Sequence, residues 1–112
     1  MKKVLATAVF LGIGLVSIEA HAIERGDPAR GKQLSTTCAA CHDADGNSNN
    51  PQFPRIAGQH ADYMVQALKA YKSGDRKNAI MAGIVSGLSE QDMEDLAAYF
   101  SRQKGDLYSK SL

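Results

Sequence analysis

The sequence predicts an all-α protein with three main helices and possibly short additional ones. Three segments carry apolar side chains at helical spacing, and no segment keeps the apolar–polar alternation that is typical of a strand. A long polar loop at 43–57, rich in Asn, Asp, Gly and Pro, separates the first helix from the second. A length of 112 residues suggests one domain.

The first helix begins with Asp27 as N-cap and Pro28 at the first helical position, and it is predicted to run to about Cys41. The loop that follows is longer than compact domains usually tolerate, which favours a functional role for it. The second helix follows Gly58 and ends near Gly74. Its apolar stripe consists of Ala61, Met64, Leu68 and Tyr71.

The segment 78–88 is apolar and interrupted by glycine, without a clear period, so it predicts irregular structure. Ser89 then has the position of an N-cap, with Asp92 as the acid of a capping box. The last helix is expected to stop near Gly105. Its apolar stripe consists of Met93, Leu96, Ala97 and Phe100.

The first 22 residues have the features of a secretory signal peptide. Two lysines precede an uncharged apolar run at 4–16, and the segment ends in the small-x-small pattern Ala-His-Ala. The alternative is a transmembrane anchor, but the run is too short to span a bilayer comfortably. We expect cleavage of 1–22, export to the periplasm, and a mature domain 23–112 that does not span the membrane.

Cleavage would leave equal numbers of basic and acidic residues, which argues against a nucleic-acid partner. So short a chain buries a thin core, and small scaffolds normally add a disulfide, metal or cofactor. The two cysteines lie three positions apart, so a disulfide between them would close too small a loop to stabilise the fold. We therefore expect a cofactor to complete the core.

Cys38-Ala39-Ala40-Cys41-His42 forms the C-x-x-C-H signature for covalent attachment of haem c. Thiols at i and i+3 of a helix lie on one side, where both can reach the vinyl groups along one porphyrin edge. The imidazole of His42 follows directly and can ligate the iron.

Three other uses of the cysteines compete with this interpretation. A thioredoxin-like redox pair would need a βαβ pattern, which the sequence lacks. A zinc site would need four ligands, and Cys38, Cys41, His42 and the distant His60 match it poorly. A plain structural disulfide is the third alternative.

The second axial ligand has several candidates. Met64 and Met93 lie on apolar helical stripes, where methionine usually fills a core. Met81 lies in the irregular apolar segment and is the favoured candidate, since such a segment can bring a thioether to the far haem face. His60 opens a helix and is expected at the surface. An open iron site is the remaining option.

Six segments resemble the class I c-type cytochromes, and above all one half of the exported two-haem cytochromes and their single-haem relatives. The resemblance covers essentially the whole mature chain and implies the class I cytochrome c fold around one haem. The segments are Gly31-Lys32-x-Leu34, the C-x-x-C-H motif, Asp45-Gly46-Asn47, Phe53-Pro54-Arg55-Ile56-Ala57-Gly58-Gln59, Met81-x-Gly83, and the stretch from Leu88-Ser89 to Tyr99-Phe100.

The resemblance implies a role for each matching residue. Cys38 and Cys41 would hold the haem, with His42 and Met81 as axial ligands. The backbone carbonyl of Pro54 would accept a hydrogen bond from the imidazole. Gly31 would lie where the first helix crosses the last, near Tyr99 and Phe100.

These roles indicate a periplasmic one-electron carrier rather than an enzyme, because two axial ligands leave the iron no position for substrate. Expected partners are redox proteins such as a membrane electron-transfer complex, a terminal oxidase or a soluble oxidoreductase. The chain would be a monomer or weak dimer. The alternatives are a haem domain or subunit of a redox enzyme, and an open-site protein with peroxidase or gas-binding activity.

Overall fold

The computed structural model describes residues 25–107 and the isolated positions 4, 9 and 12. The predicted signal peptide at 1–22 otherwise lies outside the described residues. Among the described residues the regular elements are all helices, and none of them has the length and apolar character needed to cross a membrane. The helices are α1 (Pro28–Leu34), α2 (Thr36–His42), α3 (Ala61–Ser73), α4 (Ala79–Val85) and α5 (Glu90–Ser101).

The predicted first helix is two helices, α1 and α2, so its predicted continuity to Cys41 is wrong. Its start is confirmed, because the Asp27 side chain accepts from the backbone N–H groups of Ala29 and Arg30 and Pro28 opens the helix. The break lies at Ser35, whose hydroxyl donates to the Lys32 carbonyl at 2.8 Å. Serine hydroxyls compete in this way with the helical backbone bonds.

The two long helices confirm their predicted signals. α3 ends at Gly74 with φ +85°, a left-handed conformation that favours glycine. α5 begins with the Ser89–Asp92 capping box, both of whose hydrogen bonds are present. The loop at 43–57 contains no helix or strand, as predicted.

The prediction of irregular structure across 78–88 is wrong, because α4 lies within it. Asn78 caps this helix, its side chain accepting from the Met81 backbone N–H at 3.0 Å. The sequence does not predict this helix because it has only seven residues, and so short an element shows little periodicity.

α5 ends at Ser101, before the predicted stop at Gly105. The Gln103 side-chain amide and the Arg102 backbone N–H both donate to the Tyr99 carbonyl, at 2.9 and 3.3 Å, and so satisfy one of the last carbonyls of the helix. Gly105 instead packs against the polar loop: a Cβ atom there would lie 2.4 Å from Asn47 Oδ1.

α5 is the central helix, against which both α1 and α3 pack, while α4 packs on α3. The predicted stripe of α5 is confirmed as buried, and three of its members, Leu96, Ala97 and Phe100, form a core with Met64 of α3. Gly31 lies at the α1–α5 crossing, where an added Cβ would be 2.0 Å from the Asp95 carbonyl oxygen and 2.9 Å from Tyr99 Cβ. Gly31 therefore lies at the crossing that the resemblance implied.

A buried carboxylate that the sequence analysis missed joins α1 to α5. Asp95 is 1% exposed. Its Oδ1 accepts from the Asp27 backbone N–H at 2.8 Å and from the Gln91 amide at 2.9 Å, and its Oδ2 pairs with Arg30. Burial by itself would raise the pKa of Asp95, but the hydrogen bonds from Asp27, Arg30 and Gln91 outweigh it and hold the pKa below its usual value.

Asp95→Asn should lower the free energy of unfolding at neutral pH by about 1–3 kcal/mol, because three donors lose a charged acceptor. A depressed folded-state pKa makes the contribution of Asp95 complete above the unfolded value of about 3.9 and removes it as the pH falls through the folded value. Urea unfolding of both proteins from roughly pH 3 to pH 7 measures this. The stability difference should shrink on the acid side, and a difference that stays constant would contradict the account.

Candidate functional site

The C-x-x-C-H motif lies on one short helix, α2, which brings its three functional side chains together. Cys38 and Cys41 are free thiols, each partly buried, and His42 is the last residue of the helix and 8% exposed. Cys38 also packs against the core formed by α3 and α5. The thiols are thus one helical turn apart on the helix that ends with His42, and Cys38 lies against the apolar interior.

The orientation of the His42 ring is fixed by the polar loop. Its Nδ1 lies 2.7 Å from the carbonyl oxygen of Pro54. Because a carbonyl oxygen can only accept, Nδ1 carries the proton and donates. A histidine with its proton on Nδ1 can offer the lone pair of Nε2 to a metal, which is the usual arrangement for a ligating histidine.

The chain turns sharply directly after the motif. Asp43 has φ 65° and ψ 161°, a conformation that residues other than glycine rarely adopt. Tyr99 of α5 donates its hydroxyl to the Ala44 carbonyl at 2.8 Å and so ties this turn to the central helix. The Tyr99 contact could not be predicted from the sequence, because it depends on how α5 crosses the loop.

The polar loop is closed by backbone contacts at its base. The Gly46 carbonyl accepts from the N–H groups of Ile56 and Ala57 at 2.9 and 3.1 Å, and the Gly58 N–H donates to the Phe100 carbonyl at 2.9 Å. The loop is therefore a fixed structure, and Pro54 lies within the closed part.

The cysteine environment does not suit a thioredoxin-like redox pair. Burial raises the pKa of the Cys38 thiol, an effect that a backbone hydrogen bond opposes only in part. An attacking redox thiol instead needs a lowered pKa. Within the described part of the chain, no three His, Cys, Asp or Glu side chains are arranged to hold a metal ion, so the zinc alternative has no ligand set there.

Met81 lies apart from the motif, on α4, and is partly buried. The other two methionines of the described chain fill the core, with Met64 8% and Met93 2% exposed. His60 is exposed at the start of α3, as expected. Met81 is therefore the thioether with a side chain outside the buried core.

The donor set and the apolar surroundings fit a haem. The buried hydrophobic residues of the described chain are few, and three of them are alanines. Beside Met81 the isoleucines Ile80 and Ile84 are 65% and 37% exposed, although both are large and apolar. A large flat apolar group bound to the cysteines would add the hydrophobic contact that so thin a core lacks.

Comparison with known proteins defines the class to which this fold and site belong. The family model described as cytochrome c matches residues 28–104. Cytochrome c4 of Pseudomonas aeruginosa is 43% identical over 104 residues, which cover 93% of this chain and 50% of that protein. Cytochrome c-554(548) of Halomonas halodenitrificans is 43% identical over 82 residues, covering 70% of this chain and 99% of that protein.

The same likeness extends to three dimensions. The crystal structure of reduced recombinant cytochrome c4 from Pseudomonas stutzeri superposes with a TM-score of 0.69 at 43% identity, covering 72% of this chain and 47% of that one. This chain spans about half the length of the cytochrome c4 relatives that it matches.

The chain belongs to the cytochrome c family. Within that family it is similar to one half of the cytochromes c4, which confirms both the resemblance and the class I cytochrome c fold. Its cofactor is covalently bound haem c, as the C-x-x-C-H motif predicted.

Proposed function

We propose that the chain is a periplasmic one-electron carrier whose haem is ligated by His42 and Met81. The observation that carries the proposal is the hydrogen bond between His42 Nδ1 and the Pro54 carbonyl. It leaves Nε2 as the ring nitrogen that can bind iron, beside two free thiols. Cys38 and Cys41 form the two thioether bonds. Haem c supplies a reversible change between ferrous and ferric iron when bound.

The two axial ligands determine what this site can do. His42 Nε2 and Met81 Sδ would together hold the iron of the bound haem and would leave no position for a substrate, which favours a carrier over an enzyme. Thioether ligation favours the ferrous state and raises the potential. The names of the cytochrome c relatives support this proposal at the level of the class.

Location and partners complete the proposal. Residues 1–22 act as a signal peptide, and 23–112 form the mature cytochrome domain in the periplasm. The partners are redox proteins that dock beside the haem, such as a membrane electron-transfer complex, a terminal oxidase or a soluble oxidoreductase.

A redox titration with carbon monoxide as probe tests the carrier function. The purified holoprotein should titrate as a single one-electron couple, and its reduced spectrum should not change on addition of carbon monoxide, because Met81 occupies the position that the gas would take. Rapid binding of carbon monoxide by the unmodified protein would instead favour the open-site alternative and overturn the carrier proposal.

A further inference from the structure

The side chain of Arg55 connects three separate parts of the chain. Its Nε donates to the Ser48 carbonyl at 3.0 Å, and one terminal nitrogen pairs with the carboxylate of Asp106. Ser48 belongs to the beginning of the polar loop, Arg55 to its end, and Asp106 to the segment after α5. One guanidinium can serve both partners because its donors form a rigid planar fork, which a lysine ammonium lacks.

Both anchor points of Arg55 are themselves held. Ser48 is 4% exposed, and its hydroxyl bonds to the Asn50 backbone. The segment that carries Asp106 is tied to the loop by Asn47, whose side-chain amide donates to the Lys104 carbonyl at 2.8 Å. Ser48 and the segment that carries Asp106 are therefore each held by contacts other than those with Arg55.

The position of Arg55 matters because of the residue before it. The Pro54 carbonyl, which accepts the His42 hydrogen bond, belongs to the same peptide unit as the Arg55 nitrogen. That unit is planar, so its oxygen and the Arg55 Cα turn together. Fixing the Arg55 side chain therefore limits rotation of the carbonyl, and with it the 2.7 Å distance to His42 Nδ1.

We propose that Arg55 is a positioning residue that keeps the Pro54 carbonyl on His42 and thereby sets the basicity of the imidazole. The proposal rests on the proposed function, since His42 must be an axial ligand. A hydrogen bond at Nδ1 makes a ligating imidazole a stronger donor, which favours ferric iron and lowers the potential. The positive charge of Arg55 acts in the opposite direction, because a nearby cation favours the less positive ferrous state.

The hydrogen bond and the positive charge thus change the potential in opposite directions. Arg55→Lys is the decisive variant, because it keeps the positive charge and loses the planar guanidinium that bonds both partners. In ¹⁵N-labelled reduced holoprotein, the His42 Nδ1–H should exchange with water roughly two- to tenfold faster, as a weakened hydrogen bond predicts. The midpoint potential should rise. Amide exchange within α5, measured on the same sample, separates local loosening from global opening.

Arg76→Lys is the matched control. It makes the same chemical change at an arginine that follows α3 in the sequence. The guanidinium of Arg76 contacts the side chains of Tyr63 and Tyr71. We expect neither His42 exchange nor potential to change in this control. A change of the same size there would overturn the proposal, because it would not depend on the Pro54 carbonyl.

Two results would show that Arg55 has no positioning role. Unchanged His42 exchange and unchanged potential in Arg55→Lys would do so even if the melting temperature fell, since that fall alone marks a structural role. If Arg55→Lys does not accumulate, Asp106→Asn removes one anchor at an exposed carboxylate, and His42 exchange should again rise; unchanged exchange there overturns the proposal. The unmodified protein is examined first, because a spectrum without histidine–methionine ligation contradicts the proposed function instead.

Discussion

Met81→Ala should abolish the spectroscopic signature of methionine-ligated low-spin iron in the purified protein. The reason is that no other thioether of the described chain is accessible: Met64 of α3 and Met93 of α5 are only 8% and 2% exposed. The variant should retain its haem, because Cys38 and Cys41 are unchanged, and should now bind carbon monoxide. Its potential should fall, since methionine ligation favours the ferrous state.

Met64→Leu is the matched control for this experiment. It removes a different thioether from the core while nearly conserving volume, a change that usually lowers stability by less than about 1.5 kcal/mol. Its spectrum should keep the methionine signature. Absorption spectra of the oxidised and reduced proteins decide the matter: survival of the signature in Met81→Ala, or its loss in Met64→Leu, would show that Met81 is not the ligand.

Gly31→Ala should destabilise the holoprotein by about 3 kcal/mol or more, the upper range for overpacking. The added Cβ would lie 2.0 Å from the backbone oxygen of Asp95. A backbone atom in the middle of a helix cannot yield alone, so α1 and α5 would have to separate along their contact. That separation would also weaken the hydrogen bond from the Asp27 N–H to the Asp95 carboxylate, which depends on the same crossing.

Urea unfolding of the holoprotein measures this loss by linear extrapolation. Gln33→Ala is the control, because Gln33 is exposed on the same helix and surface changes usually stay within about 0.5 kcal/mol. A Gly31→Ala variant that unfolds within about 1 kcal/mol of the unmodified protein would mean that the two helices do not cross this closely.

The parts of the fold that the sequence predicts correctly are those with local causes. Asp27, Ser89 and Gly74 act on residues within one helical turn of themselves, so their caps could be identified without a structure. The break at Ser35 is local as well, but serine is tolerated inside many helices, and nothing in the sequence distinguishes this one. α4 is too short for a periodic signal.

The parts that could not be predicted depend on contacts between distant residues. Asp95 reads as a solvated charge on an amphipathic helix, and only the partners brought by α1, more than sixty positions away, explain its burial. The candidate site also combines features with local causes and features that depend on distant residues. The spacing of Cys38, Cys41 and His42 is local, whereas the contacts of Arg55 arise from the closed loop and the segment after α5.

The intact mass of the mature protein, purified from cells that attach haem c, tests the central claim most directly. We expect a coloured protein whose mass equals that of residues 23–112 plus one haem, with the haem retained after denaturation because two thioether bonds hold it. A colourless protein with the mass of the bare polypeptide would contradict the account, and so would a haem that separates from the chain on denaturation.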